Sequence, residues 1–468
     1  MRISLSKVRV LFTDFLIAVQ GKEKNFTDGS IKRAIFMLSV PMILEMVMES
    51  LFAVVDVFFV SKVSVDAVAV VGLTESILTL LYAVAMGLSM GATAMIARRI
   101  GERNPEGAAN AAGQILTLTF FVSVLIGIAG LLYAEEILML MGASAELANS
   151  GKIYTQWMIG GNITIMLLFI INAIFRGAGD ASLAMRVLWI SNGINIVLDP
   201  CLIMGWGFFP ELGLEGAAIA TNIGRGIGVL FQVYALFSSR SIINLKLSDF
   251  TLQRDVVAIL LKLSSSATLQ FMIGSASWVF MLRIISEFGS NAVAGYTIAF
   301  RIIIFTILPS WGVANAAATL VGQNLGANKP DQAEKAVWLA SFYNMLFLAV
   351  ISLIFFIRAE DFVNIFTSVP EVVKEATLSL KIICCGYIFF AYGMVISQSF
   401  NGAGDTYTPT LINFICYWLI QIPLAWFAAV NFGFGASGVY FSIAFSLSIL
   451  AIISIILFKR GKWKKVQV

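Results

Sequence analysis

Histidine is absent from the 468 residues, and charged side chains make up only 12% of them. Without imidazole, proton chemistry in the physiological range falls to carboxylates or to nothing. The HExxH metalloprotease pattern is excluded outright. Cysteine is also scarce. Cys201, Cys384, Cys385 and Cys416 sit inside apolar segments at no metal-ligand spacing, so they read as small packing residues. An intramembrane enzyme would have almost nothing to catalyse with, and no cofactor is implied. What the chain does contain is apolar surface: 59% hydrophobic residues and a mean hydropathy of +0.90. A soluble chain of this size could not bury that much, so the lipid bilayer must be its solvent.

About 20 helical residues cross the hydrocarbon core. Twelve such stretches can be read, from 34–60 at the first to 435–458 at the last, and none shows the period-2 alternation of barrel strands. The early run VLFTDFLIAV carries Asp14 in its middle and has no small-residue cleavage site after it, so a short interfacial helix is expected there. Lysine and arginine set the orientation. Lys22, Lys24, Lys32 and Arg33 make the amino-terminal arm basic. RRIGER at 98–103, Arg176, Arg186, the 238–262 connection, Lys329, Lys335 and the tail KRGKWKK fall on the same side. The intervening connections AEEIL, FFPELGLEG and RAEDF are acidic or bare. Both termini are therefore expected in the cytoplasm of a multi-pass cell-membrane protein. The net charge of +4 reflects this asymmetry, and no nucleic acid need be invoked.

The chain repeats itself. FRGAGD at 175–180 returns as FNGAGD at 400–405, an offset of 225. At the same offset Pro105 matches Pro330, SKVSVDAVA matches SEFGSNAVA, Gly87 matches Gly312, and AEE matches AED. The reading is an all-α polytopic protein. A six-helix lobe at 34–237 is joined through a linker at 238–256 to a second six-helix lobe at 257–458. A cytoplasmic arm at 1–33 precedes them and a basic tail at 459–468 follows. An even helix count per copy gives a parallel repeat, with a pseudo-two-fold axis along the membrane normal and a binding site between the copies.

These two six-helix halves, Pro41 followed by Asp56 in the first helix, and the paired FRGAGD and FNGAGD strings resemble the multidrug and toxic compound extrusion (MATE) family over nearly the whole chain. The resemblance implies an antiporter that expels amphipathic, often cationic compounds using an inward sodium or proton gradient.

A duplicated scaffold needs the same packing residues twice, so polar residues kept in one copy point to function. An ionisable group at a membrane helix centre costs about 2.5–3.5 kcal/mol even on lenient scales. Glu45, Glu49, Asp56 and Glu75 lie in the first two spans, and their counterparts are Gln270, Gly274, Met281 and Phe300. Asn195 and Asp199 in the fifth span face Ile420 and Leu424. At 100° per residue Glu45, Glu49 and Asp56 share one helix face, and Asn195 and Asp199 share another. If the first and fifth helices adjoin, Asp56, Asn195 and Asp199 can converge.

The resemblance extends this set. In the DinF-like branch an aspartate of the first helix joins an Asn and an Asp four apart in the fifth and a threonine in the sixth, matching Asp56, Asn195, Asp199 and Thr221. The acids that the NorM-like branch carries in the seventh and tenth helices match Gly274 and Phe390 here, so that arrangement is absent. Oxygen donors with two negative charges suit sodium, and a proton on Asp56 or Asp199 would neutralise the pocket equally.

Glu45, Glu49, Glu75, Gln270 and Arg301 are candidates to line a substrate cavity. Pro41 is a candidate helix bend. Arg225, Arg283, Arg301 and Lys381 could answer Glu75 from elsewhere. The Arg176 and Gly177 of FRGAGD read as a helix end, with Asp180 capping the next helix. A monomer exporting drug-like cations is expected. The alternatives are a lipid-linked oligosaccharide flippase, which would need more helices and a basic lumen, and a channel or structural membrane protein.

Overall fold

The computed structural model describes residues 5–23, 25–238 and 241–468; Lys24 of the basic arm and Ser239 and Arg240 of the linker lie outside them. Among the described residues every regular element is a helix. A short α1 (Leu5–Gln20) leads into α2 (Ile31–Val60), α3 (Val65–Gly101), α4 (Pro105–Leu132), α5 (Ala134–Leu140) and α6 (Ala145–Thr155). A π turn at Gln156–Gly160 joins α6 to α7 (Asn162–Ala178), followed by α8 (Ala181–Met204) and α9 (Gly213–Phe237). The second half runs through α10 (Arg254–Ser286), α11 (Ser290–Gly326), α12 (Pro330–Asn364), α13 (Pro370–Cys385) and α14 (Tyr387–Ala403). It ends with α15 (Tyr407–Asn413), α16 (Ile422–Trp426) and α17 (Ala436–Lys459), with π segments on either side of α16.

Nine spans among the described residues are long and apolar enough to cross a bilayer, and α13 with α14 forms a tenth, bent by 58°. The 30-residue α2 and the 25-residue α9 complete the twelve; they carry Glu45, Glu49, Asp56 and Arg225. The arrangement is twelve helices in two lobes. Even the breaks repeat. Gly161 follows the π turn before α7, and its counterpart Gly386 sits at the bend before α14.

The two copies meet through equivalent helices, α3 against α10 and α2 against α11. Glycine makes the approach possible. A Cβ on Gly87 would sit 2.6 Å from the backbone nitrogen of Thr268, and one on Gly312 would sit 2.8 Å from that of Ile43. These are the same contact twice, since Gly87 and Ile43 lie 225 residues before Gly312 and Thr268.

The end carrying both termini is sealed in the same paired way. Gln323 donates to the Gly177 carbonyl at 3.1 Å, and its counterpart Arg98 donates to the Ala403 carbonyl at 3.3 Å. Arg98 also donates to the Val466 carbonyl at 2.7 Å. The tail that supplies this carbonyl is anchored by Trp463, which is buried and stacked on Phe458.

Gly179 and Gly404 end α7 and α14 with φ of +91° and +88°, left-handed values that favour glycine. The expected cap by Asp180 is not made. Its carboxylate accepts from the Ser241 hydroxyl at 2.8 Å and the Ile242 backbone at 2.7 Å, pinning the linker instead. Its counterpart Asp405 does bind the start of its own next helix, accepting from Thr408 N at 3.1 Å and Thr408 Oγ1 at 2.7 Å.

Candidate functional site

The charged face of α2 turns into the first lobe. Glu45, at 1% exposure, accepts from Arg176 Nη1 at 2.6 Å and from Asn172 Nδ2 at 3.3 Å, both on α7. Gln232 of α9 extends this network by donating to Asn172 at 2.8 Å. One turn further along α2, Glu49 accepts from Asn192 of α8 at 3.0 Å. Asp56 lies two turns beyond, within electrostatic reach of Asp199, Glu75 and Arg225. The helix is continuous through Pro41.

Asn195, Asp199 and Thr221 are in direct contact. The i, i+4 spacing on α8 puts the Asn195 amide beside Asp199. With the amide turned to satisfy both neighbours, it donates to Asp199 Oδ2 at 2.9 Å. Its carbonyl then accepts from the Thr221 backbone at 3.0 Å and from Thr221 Oγ1 at 3.2 Å. All three residues are buried, Asp199 completely. Close packing of α8 on α9 is secured where Gly224 meets the Ser191 carbonyl. Four oxygen-bearing side chains with two formal negative charges are thus gathered in one lobe. Among the described residues no three Asp, Glu, Cys or His side chains group as they would to hold a resident metal ion.

Two chambers lie between the lobes, and none of Asp56, Asn195, Asp199 and Thr221 lines either of them. A cavity of about 270 Å³ is lined by Glu45, Glu49, Tyr82, Asn172, Arg176 and Trp311, among others. A wider one of about 640 Å³ opens towards the second lobe, where Gln270, Phe271, Trp278, Phe300, Phe390 and Tyr417 line it. Leu308, Trp311 and Gln398 belong to both. Gly274 and Phe390 line the aromatic chamber. Its polar groups include Gln270, which donates to Ser397 at 3.4 Å.

Glu75 is exposed and lies within electrostatic reach of Arg301, also exposed, across the gap between α3 and α11. Arg283 pairs with Glu287 at 3.3 Å, and Lys381 sits 5.8 Å from the Phe356 ring; both are committed locally.

Arg176 does lie at a helix end, in the last turn of α7, but its side chain turns inward to form a buried ion pair with Glu45 and lines the smaller cavity. Glu45 is almost fully enclosed. Asn172, Asn192 and Gln232 were not anticipated. The signal was present, because Arg176 faces Asn401 in the repeat, so the one-copy criterion selects it as readily as it selects Asp56. GLSMG at 87–91 has the spacing of a nucleophile elbow. It lies inside α3 with no strand before it and no histidine in the chain, so hydrolase chemistry does not follow.

A duplicated bundle of spanning helices, closed at one end around inward-facing carboxylates and a shared cavity, defines a membrane transporter. The MatE family model matches residues 41–201 and again 267–427, once in each half, and the chain belongs to that family. The chain is 27% identical over 442 residues to a Thermotoga maritima protein described as a probable multidrug resistance protein, NorM, covering 93% of this chain and 94% of that one. It is 26% identical to the probable multidrug resistance protein YoeA of Bacillus subtilis, over 94% and 96% of the two chains. A solved structure described as the outward-facing conformation of a multidrug resistance MATE family transporter superposes with a TM-score of 0.89 at 28% identity, covering 95% of this chain and 99% of that one.

Proposed function

We propose that the chain is a secondary-active efflux antiporter. It exports amphipathic, often cationic, drug-like compounds across the cell membrane in exchange for sodium or protons. The observation that carries the coupling is the buried Asp199–Asn195–Thr221 contact with Asp56 in reach, in a lobe whose duplicate has apolar residues or serine at the same four positions. Buried carboxylates in a membrane protein are costly and are retained for ion or proton pathways. Sodium would be held by the carboxylates, the Asn195 carbonyl and the Thr221 hydroxyl; a proton would sit on Asp56 or Asp199. Either ion removes net negative charge from the first lobe and so weakens its hold on a cationic substrate.

The positive-inside bias supports cytoplasmic termini. The sealed end then faces the cytoplasm, in keeping with the likeness to an outward-facing relative. Return to the inward-facing state would part the paired Gln323–Gly177 and Arg98–Ala403 contacts. The two chambers suit substrates with a flat apolar body for the aromatic side and a positive group for the acidic side.

The test is uptake of a fluorescent lipophilic cation into inside-out vesicles or proteoliposomes, with sodium and proton gradients imposed separately. Uptake should follow one gradient, saturate and show counterflow. Uptake indifferent to both gradients, or an Asp56→Asn variant with full activity, overturns the reading.

A further inference from the structure

Arg225 has no role in the site beyond its nearness to Asp56, and it is the charged residue closest in sequence to Thr221 on α9. It lies four residues further on, one helical turn along the same face. Its side chain is buried, at 5% exposure. Nη2 donates to the Tyr82 hydroxyl at 3.3 Å, and the guanidinium lies 5.6 Å from the centre of the Phe52 ring. Nη1 is buried without a hydrogen-bond partner among the described residues. A guanidinium has five donors and cannot discharge itself by losing a proton, so a free donor arm in this setting has to be answered by nearby negative charge.

The surrounding groups come from four helices. Glu49 and Asp56 of α2 both act on Arg225. Glu75 and Tyr82 approach from α3, and Tyr154 from α6; Asp199 of α8 is linked to the cluster through Asp56. Glu49 and Tyr82 line the smaller cavity, whereas Asp56 belongs with the Asp199 cluster. Along α2 the two carboxylates are seven residues apart, about 10 Å at 1.5 Å per residue. The Phe52 ring that Arg225 faces lies between these two carboxylates on α2, so the guanidinium is within electrostatic reach of both Glu49, which lines the cavity, and Asp56, which does not. The duplicate half has Leu450 in place of Arg225, so this residue meets the same one-copy criterion as the carboxylates.

We propose that Arg225 couples the two sites, acting as a tethered cation shared between Asp56 and Glu49. With the ion site empty, Asp56 draws the guanidinium and leaves Glu49 to attract a cationic substrate. When sodium or a proton neutralises Asp56, the guanidinium is held by Glu49 alone, and the cavity loses the charge that retained the substrate. Linkage makes the effect reciprocal, so bound substrate weakens ion binding by the same factor. Arg225 is a positioning residue in this scheme and need not touch either ligand. The inference rests on the antiport reading above.

The test is equilibrium binding of tetraphenylphosphonium to the full chain in lipid nanodiscs. Affinity is measured with the ion site empty and then saturated, by sodium or by lowering the pH. The wild-type protein should bind the probe at least about fivefold more weakly when the ion is present, the lower end of ordinary coupling factors. In Arg225→Met that ratio should fall to within about twofold while the protein still binds probe and ion separately. Arg225→Lys, which keeps the charge, should recover part of the ratio. If Arg225→Met fails to fold, Glu49→Gln removes the other end of the relay and should flatten the ratio in the same way. A merely structural arginine would change both affinities and leave their ratio intact. A wild-type ratio preserved in Arg225→Met or in Glu49→Gln overturns this inference alone. A wild-type ratio of one for both ions overturns the antiport reading and this inference with it.

Discussion

The two halves of this protein share helix order, glycine contacts at their interface and even the location of a helix break, yet they differ inside. The first half encloses Glu45, Arg176, Asp199 and Arg225, with Glu45 and Arg176 in one network with Asn172 and Gln232. At the equivalent places the second half has Gln270, Leu424, Asn401 and Leu450, and it surrounds its chamber with aromatic rings. The motif strings make the same point in miniature: Arg176 of FRGAGD closes a buried ion pair, whereas Asn401 of FNGAGD donates to Gln398 at 3.2 Å. Duplication supplied a scaffold that only has to pack. The copies diverged where a charge would have to be stabilised, and one lobe became the place where charge is handled.

Removing one member of the buried pair should give the largest effect on stability. Arg176→Met leaves the buried Glu45 carboxyl without its cation and with only the Asn172 amide to answer it, and breaking a buried ion pair in this way typically costs about 3–5 kcal/mol. Asn401→Ala removes a neutral hydrogen bond and should cost only about 1 kcal/mol. Thermal unfolding of both variants in the same detergent measures the difference, and the double variant Glu45→Gln/Arg176→Met should regain most of the loss. Equal losses for Arg176→Met and Asn401→Ala would mean that the halves do not differ as described.

The next effect is on transport. Asp199→Asn preserves size and much of the contact with Asn195 but removes a negative charge. Gradient-driven efflux should fall at least ~100-fold, equivalent to about 2.7 kcal/mol in rate. The matching change in the other half, Leu424→Asn, should leave the dependence on the ion gradient unaltered. Loss of coupling in Leu424→Asn would place part of the ion pathway in the second lobe.

A smaller pair of effects separates Asp180 from Asp405. Each alanine substitution should destabilise the protein by about 1 kcal/mol, the usual scale for a lost cap or hydrogen bond. Only Asp180→Ala should free the segment beginning at Ser241, which brief proteolysis followed by mass spectrometry would detect as new cleavage there. Cleavage in Asp405→Ala at the same rate would show that the linker is held by other contacts.

The scaffold was legible because its rules are periodic. Twelve apolar runs, a fixed 225-residue offset and paired glycines dictate helix number and the parallel repeat before any contact is known. The contact between Asn195 and Asp199 was legible because both are polar in one copy only and share a helix face at four residues' spacing. Arg176 was not recognised, because an arginine near a helix end usually reaches for water. That Glu45 lies opposite it is settled by how α2 packs in the first lobe, which no local pattern encodes. Asp180 and Asp405 occupy identical motifs but have different partners. The difference comes from a linker following only the first copy, so the choice belongs to tertiary structure.

The mildest test concerns the loops at the sealed end, where Asn104 and Lys329 are equivalent by the repeat. Asn104 caps its own helix by accepting from Gly107 N at 2.8 Å. Lys329 instead reaches the arm before α2, donating to Asp28 at 2.5 Å and to the Thr27 carbonyl at 2.9 Å. The Lys329 hydrogen bond, helped by Asn25 and the nearby Arg103, holds the Asp28 carboxyl below the usual carboxylate range. A carboxyl whose folded pKa is depressed contributes stability at pH values above its unfolded pKa, about 3.9. That contribution is lost as the pH falls through the folded value. Asp28→Asn should therefore lower the melting temperature slightly near neutral pH, and the gap to wild type should close on acidification below about pH 4. Because the pair is exposed, salt should shrink the gap as well. Asn104→Ala, which removes a neutral cap, should lower the melting temperature by an amount that salt does not change. If salt alters both variants alike, the arm is not held to the second half by charge.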